Sequence, residues 1–251
     1  MKKIVLAVAT ALIGFNASAL TTGDLAFTSF NADEDGWSMV TFTDIAADTK
    51  VYFTDNDWTG AAFNTGESFS SWSSGASVIG AGSVIRFSKT DSPTMLGASV
   101  GTLARESVSG SANWGLSQTS DTLYAFVGTS ATAAPTSFLA AISNGTFGIT
   151  ADGGLTNTGL TIGAGAVQLM SSSDYAEYNG VRNGERNFAA YKASVSDITQ
   201  WSDSGEGTFV NNVPNTAAFT ISPVPEPESY AMLLAGLGLM ATIARRRNNA
   251  K

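Results

Sequence analysis

The stretch DLAFTSFNADEDGWSMVTFTDIAADTKVYFTDNDW, from Asp24 to Trp58, contains three short runs of β-forming residues separated by polar turns. Each run is rich in Val, Ile, Phe, Tyr and Thr, which suit a pleated, half-buried surface, while Asp, Asn and Gly fill the turns. Helical periodicity is scarce, and only residues 176–193 leave room for a short helix. The pattern predicts an all-β fold, a single Ig-like β-sandwich over residues 20–210. Four further runs of the same kind follow along the chain, at residues 83–88, 122–128, 137–143 and 166–170.

The charge of this body excludes two classes of partner. Charged residues make up only 14% of the chain, against about 25% in an average soluble protein. Between residues 20 and 224, seven basic residues face nineteen acidic ones. Nucleic acids and anionic membrane surfaces bind clustered Lys and Arg, so we expect the body to bind neither of them.

The chain contains no cysteine and no histidine. Disulfides, thiolate or imidazole metal sites and a Ser-His-Asp or Cys-His mechanism are therefore excluded. Only carboxylate, Tyr, Lys or Ser-Lys chemistry would remain, and we expect no enzyme here. The alternative is a secreted carbohydrate-active enzyme that uses paired carboxylates.

The first nineteen residues have the three parts of a secretory signal peptide. Lys2 and Lys3 supply the positive start, and residues 4–15 form the apolar segment. The small residues Ala17 and Ala19 then make the cleavage pattern, with the cut expected after Ala19. This arrangement predicts that residues 1–19 are removed and that the protein is exported.

The C-terminus shows a second composite segment. Residues 211–228 are rich in proline and are predicted to form an extended spacer. Residues 229–244 carry no charge and are predicted to form a transmembrane helix. Because basic residues mark the cytoplasmic side, the tail 245–251, with Arg245, Arg246 and Arg247, would stop translocation there. A buried core helix in a soluble domain is the alternative.

The triplet Pro225-Glu226-Pro227, the short apolar helix and the arginine cluster together resemble the PEP-CTERM sorting signal. The resemblance implies that an exosortase-type protease of the inner membrane recognises Pro225, Glu226 and Pro227 and cuts near them. The helix and the arginines would hold the substrate at the membrane until then. It also implies a Gram-negative host that makes extracellular polysaccharide. A helix retained as a permanent anchor is the alternative.

The body resembles secreted bacterial β-sandwich domains related to lamin-tail-like folds. The residues that carry this resemblance are residues 24–58, GAGSVIRFS at 80–88 and TSDTLYAFVG at 119–128. It implies a sandwich with an extracellular binding or structural role. Together with the tail, this resemblance leads us to expect a surface or extracellular-matrix protein with a structural or adhesive role. Exopolysaccharide is its candidate partner.

Two pairs of acidic residues are the candidate metal ligands: Asp33 with Asp35, and Asp55 with Asp57. Each pair follows a predicted strand, and both loops would emerge at one end if the first and third strands were parallel neighbours. Oxygen ligands at this density suit Ca²⁺, although no EF-hand spacing is present. The alternative is that these side chains cap their own turns. A Ca²⁺-stabilised surface module is therefore a further hypothesis for the function.

Two tryptophans are candidates for stacking on a sugar. Trp58 in DNDWTG and Trp72 in SSWSSG lie in turn-like surroundings, which favours exposure of their rings. The alternative is core packing, which is the more common fate of Trp in an all-β protein.

Overall fold

The computed structural model describes residues 19–148, 153–222 and 227–248. Within them the chain forms two β-sheets and few helices. The helices are α1 (Ala189–Ser196) and α2 (Pro227–Asn248), with a short 3₁₀ turn at Ile198–Gln200. The strands are β1 (Leu25–Asn31), β2 (Gly36–Thr41), β3 (Lys50–Thr54), β4 (Phe69–Ser73), β5 (Val84–Ser88), β6 (Gly97–Ala98), β7 (Thr102–Arg105), β8 (Thr122–Val127), β9 (Ser137–Ser143), β10 (Thr161–Ile162), β11 (Gly165–Gln168), β12 (Tyr175–Tyr178) and β13 (Trp201–Asp203).

The strands divide into a six-stranded and a seven-stranded sheet. The first has the order β13-β12-β1-β2-β5-β6 and the second the order β10-β11-β9-β8-β3-β4-β7. Most neighbours are antiparallel, whereas β11 runs parallel to both β9 and β10. Each of the seven runs predicted from the sequence contains a strand, so the all-β prediction is confirmed.

The main core lies between the two sheets. Trp37 on β2 and Phe53 on β3 belong to different sheets, and their ring centroids are 5.1 Å apart. Phe87 on β5 stacks on Trp37 at 5.3 Å. Since alternate residues of a strand point to opposite faces, one apolar face of each sheet fills this layer. The sandwich predicted from the sequence is thus the architecture of the described chain.

A second apolar cluster covers the outer face of the seven-stranded sheet. Tyr52 and Phe126 stack there at 5.6 Å, while their neighbours along each strand face the main core. The half-buried Phe63 packs over this cluster, 5.1 Å from Phe126. The seven-stranded sheet is therefore apolar on both faces and does not expose its outer face to water.

Residues 209–222, which we term the strap, fold back onto the body. Phe219 is only 2% exposed, and its backbone N–H donates to the Gly82 carbonyl at 2.8 Å. Ser222 still donates to the Glu185 carbonyl at 2.7 Å. The spacer predicted to begin at residue 211 is therefore part of the folded body as far as Ser222, because Phe219 buries its ring in the core.

The sequence left room for a short helix within residues 176–193, and the structure has one that begins near the end of that range. β12 occupies its start, where Tyr175 and Ala176 pair with β1. α1 begins only at Ala189, and buries Tyr191 and Val195 against the body.

The helix predicted near the C-terminus is present as α2, but its membrane-spanning character is not found. No helix among the described residues combines the length and apolarity needed to cross a membrane. The uncharged part, residues 229–244, would reach about 24 Å at 1.5 Å per residue, short of the roughly 30 Å hydrocarbon core. The search of the described residues therefore adds no support for the transmembrane prediction at 229–244.

Candidate functional site

The two acidic pairs do not meet in the way that the sequence suggested. β1 lies in the six-stranded sheet and β3 in the seven-stranded sheet, so the assumption of parallel neighbours is wrong. The reason is local: β1 turns directly into antiparallel β2, and the chain then crosses to the opposite sheet. The Asp33–Asp35 and Asp55–Asp57 loops therefore follow strands of different layers.

The Asp33–Asp35 turn ties three segments of the body together. Asp33 accepts hydrogen bonds from the Gln118 side chain at 2.6 Å and from the Phe209 backbone N–H at the start of the strap. Asp35 has a left-handed backbone with φ of 56° and accepts from the Leu116 N–H at 2.8 Å. Burial, followed by the neighbouring Asp91 carboxylate, raises the pKa of Asp35 to about 7.

The Asp55–Asp57 turn uses its carboxylates in the same way. Asp55 is 3% exposed and accepts from the Ser68 N–H at 2.9 Å and from its hydroxyl at 2.7 Å. Asp57 accepts from the Asn64 amide at 2.9 Å. Both carboxylates therefore bind donors seven and thirteen residues further along the chain, whereas the alternative raised from the sequence was that they cap their own turns.

Two further acids, Glu67 and Asp121, join Asp55 in a carboxylate cluster. β3 pairs with both β4 and β8, so the end of β3 and the starts of β4 and β8 lie together at one end of the sheet. Burial, with a smaller contribution from the neighbouring Glu67 carboxylate, raises the pKa of Asp55 to about 7. Burial also raises the pKa of Asp121 well above its usual range, with Asp55 as the next cause.

Sequence reasoning missed Glu67 and Asp121, although a signal was present. Asp121 stands directly before the apolar run of β8, and Glu67 stands two residues before β4. An acid at such a position is placed at a sheet end, next to the ends of neighbouring strands. Which strands are neighbours, however, depends on the topology, and the sequence did not reveal that β3 lies between β4 and β8.

Burial favours the neutral form of the Asp55 and Asp121 carboxyl groups. Asp121 accepts from the Ser117 N–H at 2.6 Å and is 5% exposed, so it faces protein and not solvent. In residues 19–148, 153–222 and 227–248, no group of three or more acidic side chains is placed to hold a metal ion. The geometry of Asp33, Asp35, Asp55 and Asp57 therefore adds no support for Ca²⁺.

Both candidate sugar-stacking tryptophans are buried, so their predicted exposure is wrong. Trp72 is 1% exposed and donates from its indole nitrogen to the Val100 carbonyl at 2.8 Å. Trp58 is 6% exposed and donates to the Thr156 carbonyl at 2.7 Å. The polar turn residues around each ring misled the prediction, because Trp72 lies on strand β4 and Trp58 under the loop that contains Thr156.

Trp58 nevertheless lines a small cleft on the outer face of the seven-stranded sheet. The cleft has a volume of about 180 Å³ and lies between the segment around Asn64 and the segment around Ala134. Aromatic side chains form its floor, and amide and hydroxyl groups lie at its rim. Its polar rim residues are Asn64, Thr65 and Thr132.

A larger cavity of about 360 Å³ lies beside α1. Its walls are mostly Gly and Ala, and Lys192 is its charged residue, paired with Asp24 at 3.3 Å. The volume falls in the range of small-molecule sites. Its side chains supply few polar groups, so the walls select by size more than by chemistry.

The terminal segments lie partly outside the described residues. Ala17 of the predicted signal peptide, Pro225 and Glu226 fall outside them, whereas Pro227 is the first residue of α2. Ala19 is exposed, and so are Arg245 and Arg246 on α2. Arg247 lies on the same helix.

The described molecule is thus a folded β-sandwich that carries a separate C-terminal helix with a basic end. The family model of the PEP-CTERM protein-sorting motif matches residues 223–248. The chain therefore carries a PEP-CTERM sorting motif, as the sequence predicted, and this motif indicates export through an exosortase-type system. No curated protein and no solved structure matches the chain, so the lamin-tail-like character of the body stays a prediction.

Proposed function

We propose that the protein is an exported surface or extracellular-matrix component, with a structural or adhesive role in an exopolysaccharide or biofilm matrix. The sorting motif at residues 223–248 carries the proposal, because it follows directly on a folded β-sandwich. An exosortase-type protease is the partner that the motif implies. The acidic body suits binding of neutral polymers better than binding of other anions.

The role that we propose involves no catalysis. Asp55 and Asp121 are buried and bonded to nearby donors, so neither carboxylate faces solvent. Neither the cleft beside Trp58 nor the cavity beside α1 is lined by a carboxylate. These observations favour a binding or structural role over a carboxylate glycosidase.

The sorting part of the proposal is tested in the host organism. The full chain is compared with a variant in which Pro225, Glu226 and Pro227 are all replaced by Ala, and the cells are separated into membrane, surface and medium fractions. We expect the wild type at the surface or in the medium, and the variant retained in the membrane fraction. An identical distribution of the two chains would contradict sorting by this motif.

The adhesive part is tested by co-sedimentation with the host's own exopolysaccharide. We propose the cleft beside Trp58 as the contact, because it combines an aromatic floor with amide and hydroxyl groups at the rim. Ala134→Trp fills this cleft, and Ala112→Trp places the same ring on an exposed loop as the matched control. We expect loss of binding for Ala134→Trp alone. If the wild type does not sediment, the adhesive role is wrong.

A further inference from the structure

The strap is held by body side chains that bind its backbone. Asn31 donates to the Phe209 carbonyl at 3.0 Å, and the Arg182 guanidinium donates to the Ala217 carbonyl at 3.1 Å. The Tyr191 hydroxyl donates to the Thr220 carbonyl at 2.7 Å. Near the middle of the strap, the Asn215 N–H donates to Glu177 at 3.0 Å. The strap is therefore anchored along its length and not only at one point.

Phe219 is the apolar anchor of the strap. Its ring stacks on Tyr178 at 5.7 Å and meets Tyr191 edge to face at 5.1 Å. The Arg182 guanidinium lies 4.9 Å from the centroid of the Phe219 ring, which adds a cation–π contact. Because the ring is 2% exposed, its removal would open a cavity in the core between β12, α1 and the strap.

The end of the strap is fixed beside the loop of residues 180–186, which we term the exit face. Thr220 donates to the Arg182 carbonyl at 2.8 Å, and Ser222 donates to the Glu185 carbonyl at 2.7 Å. Ile221 forms a parallel bridge with Glu185. Val181 on this face is 63% exposed, and Arg186 is exposed as well.

The sorting motif begins directly after Ser222, the last residue of the strap that is bonded to the body. Pro225 is three residues beyond Ser222, so the intervening chain spans at most about 10 Å even when fully extended. An enzyme that reaches the motif must therefore approach the exit face of the folded body, unless the strap is first pulled away from its anchors.

We propose that the motif is processed while the strap stays in place, so that the mature protein retains the strap as far as Ser222. The enzyme then meets the body at the exit face, with Val181 and Arg186 at the contact. This inference rests on the proposed function, since it requires that the sorting tail be processed. It goes beyond that function by assigning the boundary of the retained chain and the surface that the enzyme touches.

The boundary is tested by mapping the C-terminal peptide of the protein released by its host. We expect the last residue at Ser222 or later. A last residue before Ser222 would overturn the inference while leaving sorting intact, whereas a full-length product would overturn both processing and this inference. The two failures are therefore distinguishable.

The anchoring of the strap by Phe219 is tested with two substitutions in the full chain. Phe219→Ala removes the buried anchor, and we expect it to lower the melting temperature by roughly 10 °C and to yield products trimmed within the strap. Val213→Ala is the matched control, because Val213 lies on the strap but is 67% exposed. It should shift the melting temperature by about 2 °C or less. Equal shifts for both variants would contradict anchoring by Phe219.

The exit face is tested through the rate of processing. Val181→Asp places a charge on this face, and Val100→Asp places the same charge on a distant valine that is 42% exposed. We expect processing to slow several-fold for Val181→Asp alone. A six-residue Gly-Ser insertion after Ser222 should restore the rate, because it moves the motif away from the face. Equal rates for the two Asp variants would overturn the proposed contact.

Discussion

Gly82 and Phe219 lie so close that a Cβ atom on Gly82 would meet the Phe219 carbonyl oxygen at 2.1 Å. Gly82 has φ of 87°, and its carbonyl accepts a hydrogen bond from the backbone N–H of Phe219 on the strap. The turn before β5 and the strap before the sorting motif are therefore one packed unit. This contact explains why the folded body continues to Ser222.

The first prediction follows from that contact. Gly82→Ala should destabilise the protein by clearly more than about 1–2 kcal/mol, which is the cost of a left-handed backbone for a residue with a Cβ atom. Gly75→Ala is the control, because Gly75 has a similar φ of 82° with no atom within 4 Å of the added Cβ. Chemical denaturation measures both. Equal losses would show that the strap moves aside freely.

A second prediction concerns the buried carboxylate cluster. The pKa of Asp55 is raised from 3.8 to about 7, so folding favours its protonated form. Its stabilising contribution is present below about pH 4 and is lost as the pH rises towards 7, at about 1.4 kcal/mol per pKa unit. Asp55→Asn keeps an acceptor for Ser68 without the charge, and we expect it to raise the free energy of unfolding at pH 8.

The control for that prediction is Asp48→Asn, at an exposed turn position with φ of 57° that Asn tolerates. Unfolding free energies are measured between pH 4 and pH 8. The gain of Asp55→Asn over the wild type should grow with pH across this range. A gain that is constant with pH, or a loss at pH 8, would mean that Asp55 is not held as a neutral acid.

A third prediction separates core tryptophans from surface ones. Trp58→Ala should lower the free energy of unfolding by about 3–5 kcal/mol, because the ring is 6% exposed and packs 4.9 Å from Phe138. Trp114→Ala should cost less. Trp114 is half-buried, and the Arg105 guanidinium lies 4.5 Å from its ring centroid, a contact worth about 0.5–2 kcal/mol. Similar losses would contradict this distinction.

A fourth prediction addresses the Ca²⁺ hypothesis. Asp33, Asp35, Asp55 and Asp57 each accept hydrogen bonds from neighbouring segments, and a bound cation would have to compete with these bonds. We expect the melting temperature to be the same in Ca²⁺ and in chelator, as followed by calorimetry. A rise of several degrees in Ca²⁺ would restore a calcium site as the role of these loops.

The sequence predicted seven of the thirteen strands in the described residues, because each of these runs is short, rich in β-forming residues and bounded by turn residues. It did not predict β4, β6, β7, β10, β12 or β13. In β12, for example, Tyr175 and Tyr178 are three residues apart, a spacing that also suits a helix. The sequence also misplaced the acidic pairs, because the assignment of β1 and β3 to different sheets depends on long-range pairing. Local patterns reveal strands, but only tertiary contacts determine which strands are neighbours.

The candidate site was predictable only in part, for similar physical reasons. The tail was recognisable because its triplet, apolar stretch and arginines stand in order at the chain end. The strap was not, since Pro214 within it and Pro223 directly after it are typical of an extended spacer, and nothing local shows that Phe219 is buried. The exposure of Trp58 and Trp72 was mispredicted because both rings have polar neighbours along the chain. Those neighbours do not show that Trp72 faces the core from strand β4 or that a loop covers Trp58.

The central claim is that the C-terminal motif directs processing of an exported sandwich, and the intact mass of the protein recovered outside its host tests it most directly. The account predicts a chain that has lost residues 1–19 and the C-terminal helix, and that the triple Ala variant of Pro225, Glu226 and Pro227 keeps the helix. A wild-type mass of 25.9 kDa, that of the complete chain, would contradict it.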